Sequence, residues 1–330
     1  MPGAEELIGQ YELGMSATVR GDAAHNFVLR DDLRTSAVAG TTALAEFATG
    51  LLFYSAGKYP DADRWFVQAG RGSSVLADRG VMLRLFRGNV QLRIGRPAEA
   101  RREFAAALDL QPDNARASVG LAESALLAGN GGCTKEKIDP TGVRTAVRLY
   151  QQAMRARVQP RESDVPVKVM SGLGRAYLCL SQAGVEDRWG PAREHLERVL
   201  QAYQTGNERL RELAAEAYGS LGLLCLPVRG ATDGAAVEAL RRSRWLYERA
   251  VELSRRPERE GVFLGMVGFV TARLSESLEA EAAYARAADL DPARKSYYQA
   301  AAKRVAQEIL TPAPHGEVSA LPYESGRCRP

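Results

Sequence analysis

Three histidines (His25, His195, His315) and four cysteines (Cys133, Cys179, Cys225, Cys328) are the side chains of this 330-residue chain best suited to bind a metal or attack a substrate. Their spacing supports neither role. No His belongs to an HExxH pair, no two Cys form a CxxC, and no His lies close to a Cys in sequence, so no metal-ligand pattern is present. Widely separated cysteines of this kind read as free thiols in a reducing compartment. His195 sits inside Ala192-Arg-Glu-His-Leu-Glu-Arg198 and reads as a packed or solvated helix residue. Gly172-Leu-Gly174-Arg-Ala-Tyr177 starts like a dinucleotide fingerprint, but it lacks the third Gly and follows no strand, which points instead to close helix packing. Gly129-Asn-Gly-Gly-Cys-Thr-Lys135 has no GK[ST] ending and no strand before it, so it does not read as a phosphate loop. Carboxylates are numerous, yet their spacing singles out no catalytic pair. The expectation is a protein that is no enzyme and has no cofactor and no metal site.

The elements behind these residues belong to a folded chain. Hydrophobic residues make up 45% and charged residues 25%, ordinary for a soluble domain. Lys+Arg 44 against Asp+Glu 40 leaves a net charge of only +4, too small an excess to mark a nucleic-acid binder. Lys occurs only at 58, 135, 137, 168, 295 and 303, and the dominance of Arg and Ala fits a GC-rich bacterial genome. Aromatics at 7% are few, so Leu, Val and Ala must build the core. The acidic start Met1-Pro-Gly-Ala-Glu-Glu6 lacks the basic and apolar regions of a signal peptide. Val38 to Gly57 carries a single charge, Glu46, but also Gly40, Thr41, Thr42, Thr49, Gly50 and Ser55, too polar a mixture for a membrane span. The expected location is cytoplasmic.

Self-similarity organises the chain. Gly88, Gly95, Ala100, Phe104, Ala107 and Pro112 set a frame: small residues where two helices approach, a Gly ending the first helix, an aromatic filling the gap, a Pro closing the second. Gly50, Gly57, Ala62, Phe66 and Ala69 repeat it, as do Gly268, Ala280, Tyr284, Ala287 and Pro292, with Ser275 where the turn Gly would be. This pattern resembles the tetratricopeptide repeat (TPR), a 34-residue unit of two antiparallel helices. Three further units have stretched turns. One runs from Leu121-Ala122 to Ala146, Tyr150 and Ala153. The next runs from Leu173-Gly174 to Ala192, Leu196 and Val199, and the last from Leu221-Gly222 to Ser243, Tyr247 and Ala250. The resemblance implies an all-α fold, a right-handed α-solenoid of about six TPR-like repeats ending in a capping helix. The expected organisation is residues 1–39 as an N-terminal helix (Glu5 to Thr18) and short extended segment (His25 to Arg30), 40–310 as solenoid and cap, and 311–330 as a disordered tail. The cap, Ala293 to Leu310, carries Tyr298, Ala301, Ala302, Val305 and Ile309 on one stripe, with Asp291-Pro292 as N-cap and first-turn proline. Asn130 to Val143 and Val228 to Gly234 are expected to project as loops between paired helices.

With no chemistry in view, a surface remains. The resemblance implies a groove lined by the first helix of each repeat, holding an extended peptide or partner helix. By motif position its lining is Leu51 and Tyr54, then Asn89 and Leu92, then Arg116, Val119 and Glu123, then Lys168, Ser171 and Arg175, and Phe269 from the last unit. The family's Lys/Asn/Arg clamp for a terminal carboxylate is not reproduced, because Phe47 and Leu51 stand where Lys and Asn would be. Lys168, Arg175 and Arg116 are candidates for an acidic segment. The favoured function is an interaction scaffold for a protein or peptide partner within a larger assembly, with no nucleic acid and no membrane span. The alternative is a regulatory or sensing module of a signalling system.

Overall fold

A helix that concentrates Ala and Gly on one face lets its neighbour approach until one bulky side chain fills the space between them. The chain does this along its length. The computed structural model describes residues 41–71, 80–130, 133, 136–155, 164–204, 207–227 and 234–310. The expected N-terminal helix and extended run, the tail, and most of the Val228 to Gly234 loop lie outside them. The described residues divide between two compact units, 1–165 and 166–330.

The first unit contains α1 (Thr41–Ser55), α2 (Tyr59–Arg71), α3 (Gly80–Arg93), α4 (Pro97–Leu110), α5 (Ala115–Gly129) and α6 (Pro140–Arg155). The second contains α7 (Val165–Gln182), α8 (Trp189–Gln204), α9 (Arg211–Leu224), α10 (Gly234–Leu253), α11 (Pro257–Arg273), α12 (Ser277–Leu290) and α13 (Lys295–Leu310). No strand occurs among the described residues. The architecture is all-α and TPR-like: three helix pairs in each unit, with neighbouring helices packed in succession, and the cap after the last pair.

The expected glycine–aromatic locks are present. A Cβ on Gly50 would fall 2.5 Å from the Phe66 ring, one on Gly88 2.7 Å from Phe104, and one on Gly268 3.1 Å from Tyr284. The stretched units keep the rule, with Gly174 against Leu196 at 2.7 Å and Gly222 against Tyr247 at 3.0 Å. Gly120 also faces Phe104, at 2.4 Å, so that ring is held between α3 and α5. Ala62, Ala100 and Ala107 are fully buried, as their place in the frame requires. Gly57 and Gly95 end their helices at φ 73° and 76°, and Ser275 takes the same left-handed turn at φ 63°. A side chain with a Cβ is strained there.

Three expectations need correction. Cys133, Cys179 and Cys225 are disulfide-bonded, and no described cysteine is free. Distance along the chain says nothing about which sulfurs folding brings together, so the argument from free thiols to a reducing compartment falls away. The loop expected to reach Val143 ends at Asp139. Pro140 starts α6, the Asp139 carboxylate accepts the Thr141 backbone N–H at 3.0 Å, and Val143 is fully buried. Asp291 makes no side-chain cap. It is buried, and its carboxylate accepts from the Tyr298 hydroxyl at 3.2 Å and from Arg294 at 2.9 Å, which ties the cap helix down through its own Tyr298. Tyr298, Ala301 and Val305 of the expected apolar stripe are buried against Leu264, Ala280, Tyr284 and Ala287. No described helix is long and apolar enough to cross a membrane.

Candidate partner-binding face

In each unit the first helices of the pairs (α1, α3 and α5 in one, α7, α9 and α11 in the other) carry the residues that the repeat frame assigns to one face. In the first unit that face is largely closed by apolar packing. Leu51 has no exposed surface and belongs to a cluster with Phe47, Phe66, Phe86 and Val90. Tyr54 is half-buried, edge-on to Phe86 at 5.5 Å and to Tyr59 at 5.7 Å. Leu92 packs on Leu85, Phe104 and Ala117, and Val119 is buried. Of the residues expected to line a groove, Leu51 and Val119 therefore serve the core, while Asn89 and Glu123 keep partial exposure. Arg116 pairs with Asp164 at 3.5 Å. Polar side chains also join the helices here. Glu103 of α4 receives Arg84 and Arg87 of α3, each at 2.8 Å, and the Gln91 side-chain amide donates to Asp63 of α2 at 2.9 Å.

The second unit has the charged face. Lys168 and Arg175 lie seven residues apart on α7, both half-buried, with Ser171 buried between them. Arg175 acts on Glu216 of α9, which also ion-pairs and hydrogen-bonds with Arg259 of α11. Burial would raise the Glu216 pKa, but Arg259, Arg175 and Arg256 together outweigh it and hold the carboxyl at about 2. Two further rungs lie beside this one. The Arg256 guanidinium comes within 3.8 Å of Glu212, which also accepts the Arg255 backbone N–H at 2.5 Å. Arg255 reaches Glu208 at 3.3 Å. Glu208, Glu212 and Glu216 recur every four residues, so they form one stripe opposite Arg255, Arg256 and Arg259. Arg211 closes the edge. It donates to the last carbonyls of α10, Leu253 O at 3.0 Å and Glu252 O at 2.9 Å, where a cation also meets the negative end of the helix dipole.

Sequence reasoning found Arg175 and missed everything it meets in the ladder. The repeat frame names no groove residue in the fifth pair: its motif positions Leu221 and Gly222 fall late in α9, whereas the charged stripe lies towards its start. The readable signal was the i, i+4, i+8 run of Glu opposite Arg-rich Ser254-Arg-Arg-Pro-Glu-Arg259. Phe269, expected on the face, is half-buried under the Arg273 guanidinium at 5.9 Å and packs into the core of the unit. His195 is packed as expected: its ring stacks on Tyr177 at 5.8 Å, and burial lowers its pKa, so the ring is neutral near pH 7. No group of three or more described His, Cys, Asp or Glu is placed to hold a metal.

No protein-family model matches the chain, and no curated protein matches it in sequence. Solved structures do match in fold. NprR in complex with its cognate peptide NprX superposes with a TM-score of 0.55 at 9% identity, over 94% of this chain and 86% of that one. The C-terminal part of a TPR repeat-containing protein from Cytophaga hutchinsonii gives 0.38 at 14% identity, covering 87% and 97%. A TPR protein of Thermus thermophilus gives 0.29 at 17%, covering 81% and 99%. The likeness to NprR, together with the helix-pair geometry, establishes the TPR-like fold.

Proposed function

We infer that this TPR-like chain is a binding protein that holds a polypeptide partner on a face lined by first helices within a unit, as part of a larger assembly. One observation carries the reading: Arg175, Glu216 and Arg259 come from three successive pairs and meet in one cluster, so first-helix side chains from separate repeats act on a single point. A surface built this way presents charges at fixed spacing, which favours one partner over others through the cost of desolvating mismatched groups. NprR, which shares the fold, forms a complex with a cognate peptide, and this supports a polypeptide as occupant. On the first unit's face the proposed contributors are Asn89 and Glu123; on the second unit's face they are Lys168 and Arg175.

The test is affinity capture from native cells with mass spectrometry, comparing the parent with two double variants, Asn89→Ala/Glu123→Ala and Lys168→Ala/Arg175→Ala. The expected result is normal folding with about thirtyfold weaker capture of the same partner, since an anchoring residue typically contributes about 2 kcal/mol. Full retention by both variants would move the site to another surface.

A further inference from the structure

We propose that the α7–α9–α11 face of the second unit takes an acidic polypeptide segment, and that Glu216 is a built-in competitor occupying the place of one of the partner's carboxylates. This rests on the reading of that face as a partner-binding surface and names the chemistry of the partner. In the ladder, five arginines (Arg175, Arg211, Arg255, Arg256 and Arg259) gather around three carboxylates, those of Glu208, Glu212 and Glu216. Lys168 adds a further cation on the same side of α7. The neighbouring acid Glu260 is engaged elsewhere, by Arg286 at 3.9 Å.

The ladder is graded in exposure. Its outer rung is open, with Glu208 and Arg255 side chains 63% and 64% exposed, whereas Glu216 is only 18% exposed and Arg259 26%. An incoming chain thus meets solvated charge first and a partly desolvated arginine pair last, where carboxylate recognition is strongest. Guanidinium groups suit this task because each presents several N–H donors in a plane, so an arginine already bonded to Glu216 retains donors for a second carboxylate. A continuous phosphate backbone fits less well. Its charges recur at every nucleotide and would run over Glu208, Glu212 and Glu216, whereas a peptide can place single carboxylates between them and donate backbone N–H groups to them.

The sign of one substitution decides the matter. If the occupant is acidic, Glu216→Gln removes a repelling charge and releases arginine donors, so binding tightens; for a basic occupant the same change weakens it. The experiment uses the full chain and fluorescein-labelled hexaglutamate, with hexalysine, hexaserine and a six-nucleotide oligothymidylate as comparison probes. Binding is read by fluorescence anisotropy at low and near-physiological salt, and folding is checked by circular dichroism. Hexaglutamate is expected to bind at least tenfold more tightly than hexaserine and to lose affinity as salt rises. Glu216→Gln and, separately, Glu212→Gln should each tighten it severalfold, and Arg175→Gln should weaken it severalfold. Arg256→Gln/Arg259→Gln should weaken it at least tenfold; if that variant fails to fold, Arg175→Gln and Glu212→Gln still decide. Preference for hexalysine, preference for oligothymidylate, weaker or unchanged binding by Glu216→Gln, or binding of hexaglutamate that ignores all these variants would each overturn the proposal. Failure of hexaglutamate while Lys168→Ala/Arg175→Ala still weakens partner capture would overturn the acidic chemistry and leave the binding face standing. Failure of both would remove the face as well.

Discussion

The two units build the same helix pairs but differ in what they add at the joint between successive pairs. In the first unit, α1 meets α3 through rings: Phe47 lies 5.2 Å from Phe66 and 5.8 Å from Phe86, and Phe66 lies 5.9 Å from Phe86. In the second, α9 meets α11 through the Phe263 ring over Gly219 and, beside it, along a stripe of Glu–Arg pairs. Gly within the first helix and a bulky residue in the second are common to both units, so the pair is set by shape. The joint between pairs is open to choice, because it needs only a complementary face. An aromatic joint is insensitive to salt and pH, whereas an ionic joint responds to both and leaves charge at the surface for a partner.

Breaking the aromatic joint should have the largest effect. Phe47→Ala removes a fully buried ring shared by three helices and is expected to cost about 3–5 kcal/mol. Urea unfolding should show this loss unchanged between low and high salt; a strong salt dependence would mean that the joint is not apolar in nature.

The ionic joint should fail in acid. The Glu216 pKa is depressed to about 2 from an ordinary 4.5, so its contribution is fully present above pH 4.5 and is lost as pH falls towards 2. The linked loss is about 3 kcal/mol. Unfolding midpoints measured from pH 6 to pH 2 should fall more steeply in the parent than in Glu216→Gln. Parallel curves would sink the assignment of this pKa.

A smaller cost is expected where the shape rule common to both units is tightest. Gly120→Ala places a Cβ 2.4 Å from the rigid, buried Phe104 ring, and forcing atoms into such a core costs about 1–3 kcal/mol. A thermal melt matching the parent would show that the ring can move aside.

The smallest effect concerns one turn and has the opposite sign. Gly57 and Gly95 of the first unit and Gly184 of the second take left-handed helix-ending turns, while Ser275 stands at φ 63° in the equivalent turn of the last pair. Ser275→Gly removes the Cβ strain and is expected to stabilise by about 1 kcal/mol, less the greater freedom that glycine has in the unfolded chain. A lowered melting temperature would show that the Ser side chain contributes more than its backbone strain costs.

Much of the fold was legible because it depends on local spacing. Gly88 with Phe104, Gly50 with Phe66 and Gly268 with Tyr284 are pairings that a fixed interval along two short-linked helices imposes. Even the odd turn at Ser275 could be read from its place in the frame. The binding face was legible only in part. Position in the repeat names which residues share a side of a helix, but Leu51 and Val119 hold such positions and are buried, because neighbouring helices cover them. Glu216 was invisible as a site residue for the converse reason: its character comes from Arg175 and Arg259, each more than forty residues away.

The sequence by itself determined the helix pairs, their order, the small residues at their contacts and the cap stripe, since each follows from spacing within a few turns of helix. Only the tertiary structure decided what the pairs present to one another and to solvent. It closed the α1 face with rings, cross-linked cysteines that lie far apart in the chain, and turned Asp291 from a helix cap into the acceptor for Tyr298. It also aligned three glutamates with three arginines. The physical reason is the same in each case: exposure, pKa and ion pairing depend on distances across the fold, and a local pattern does not carry those distances.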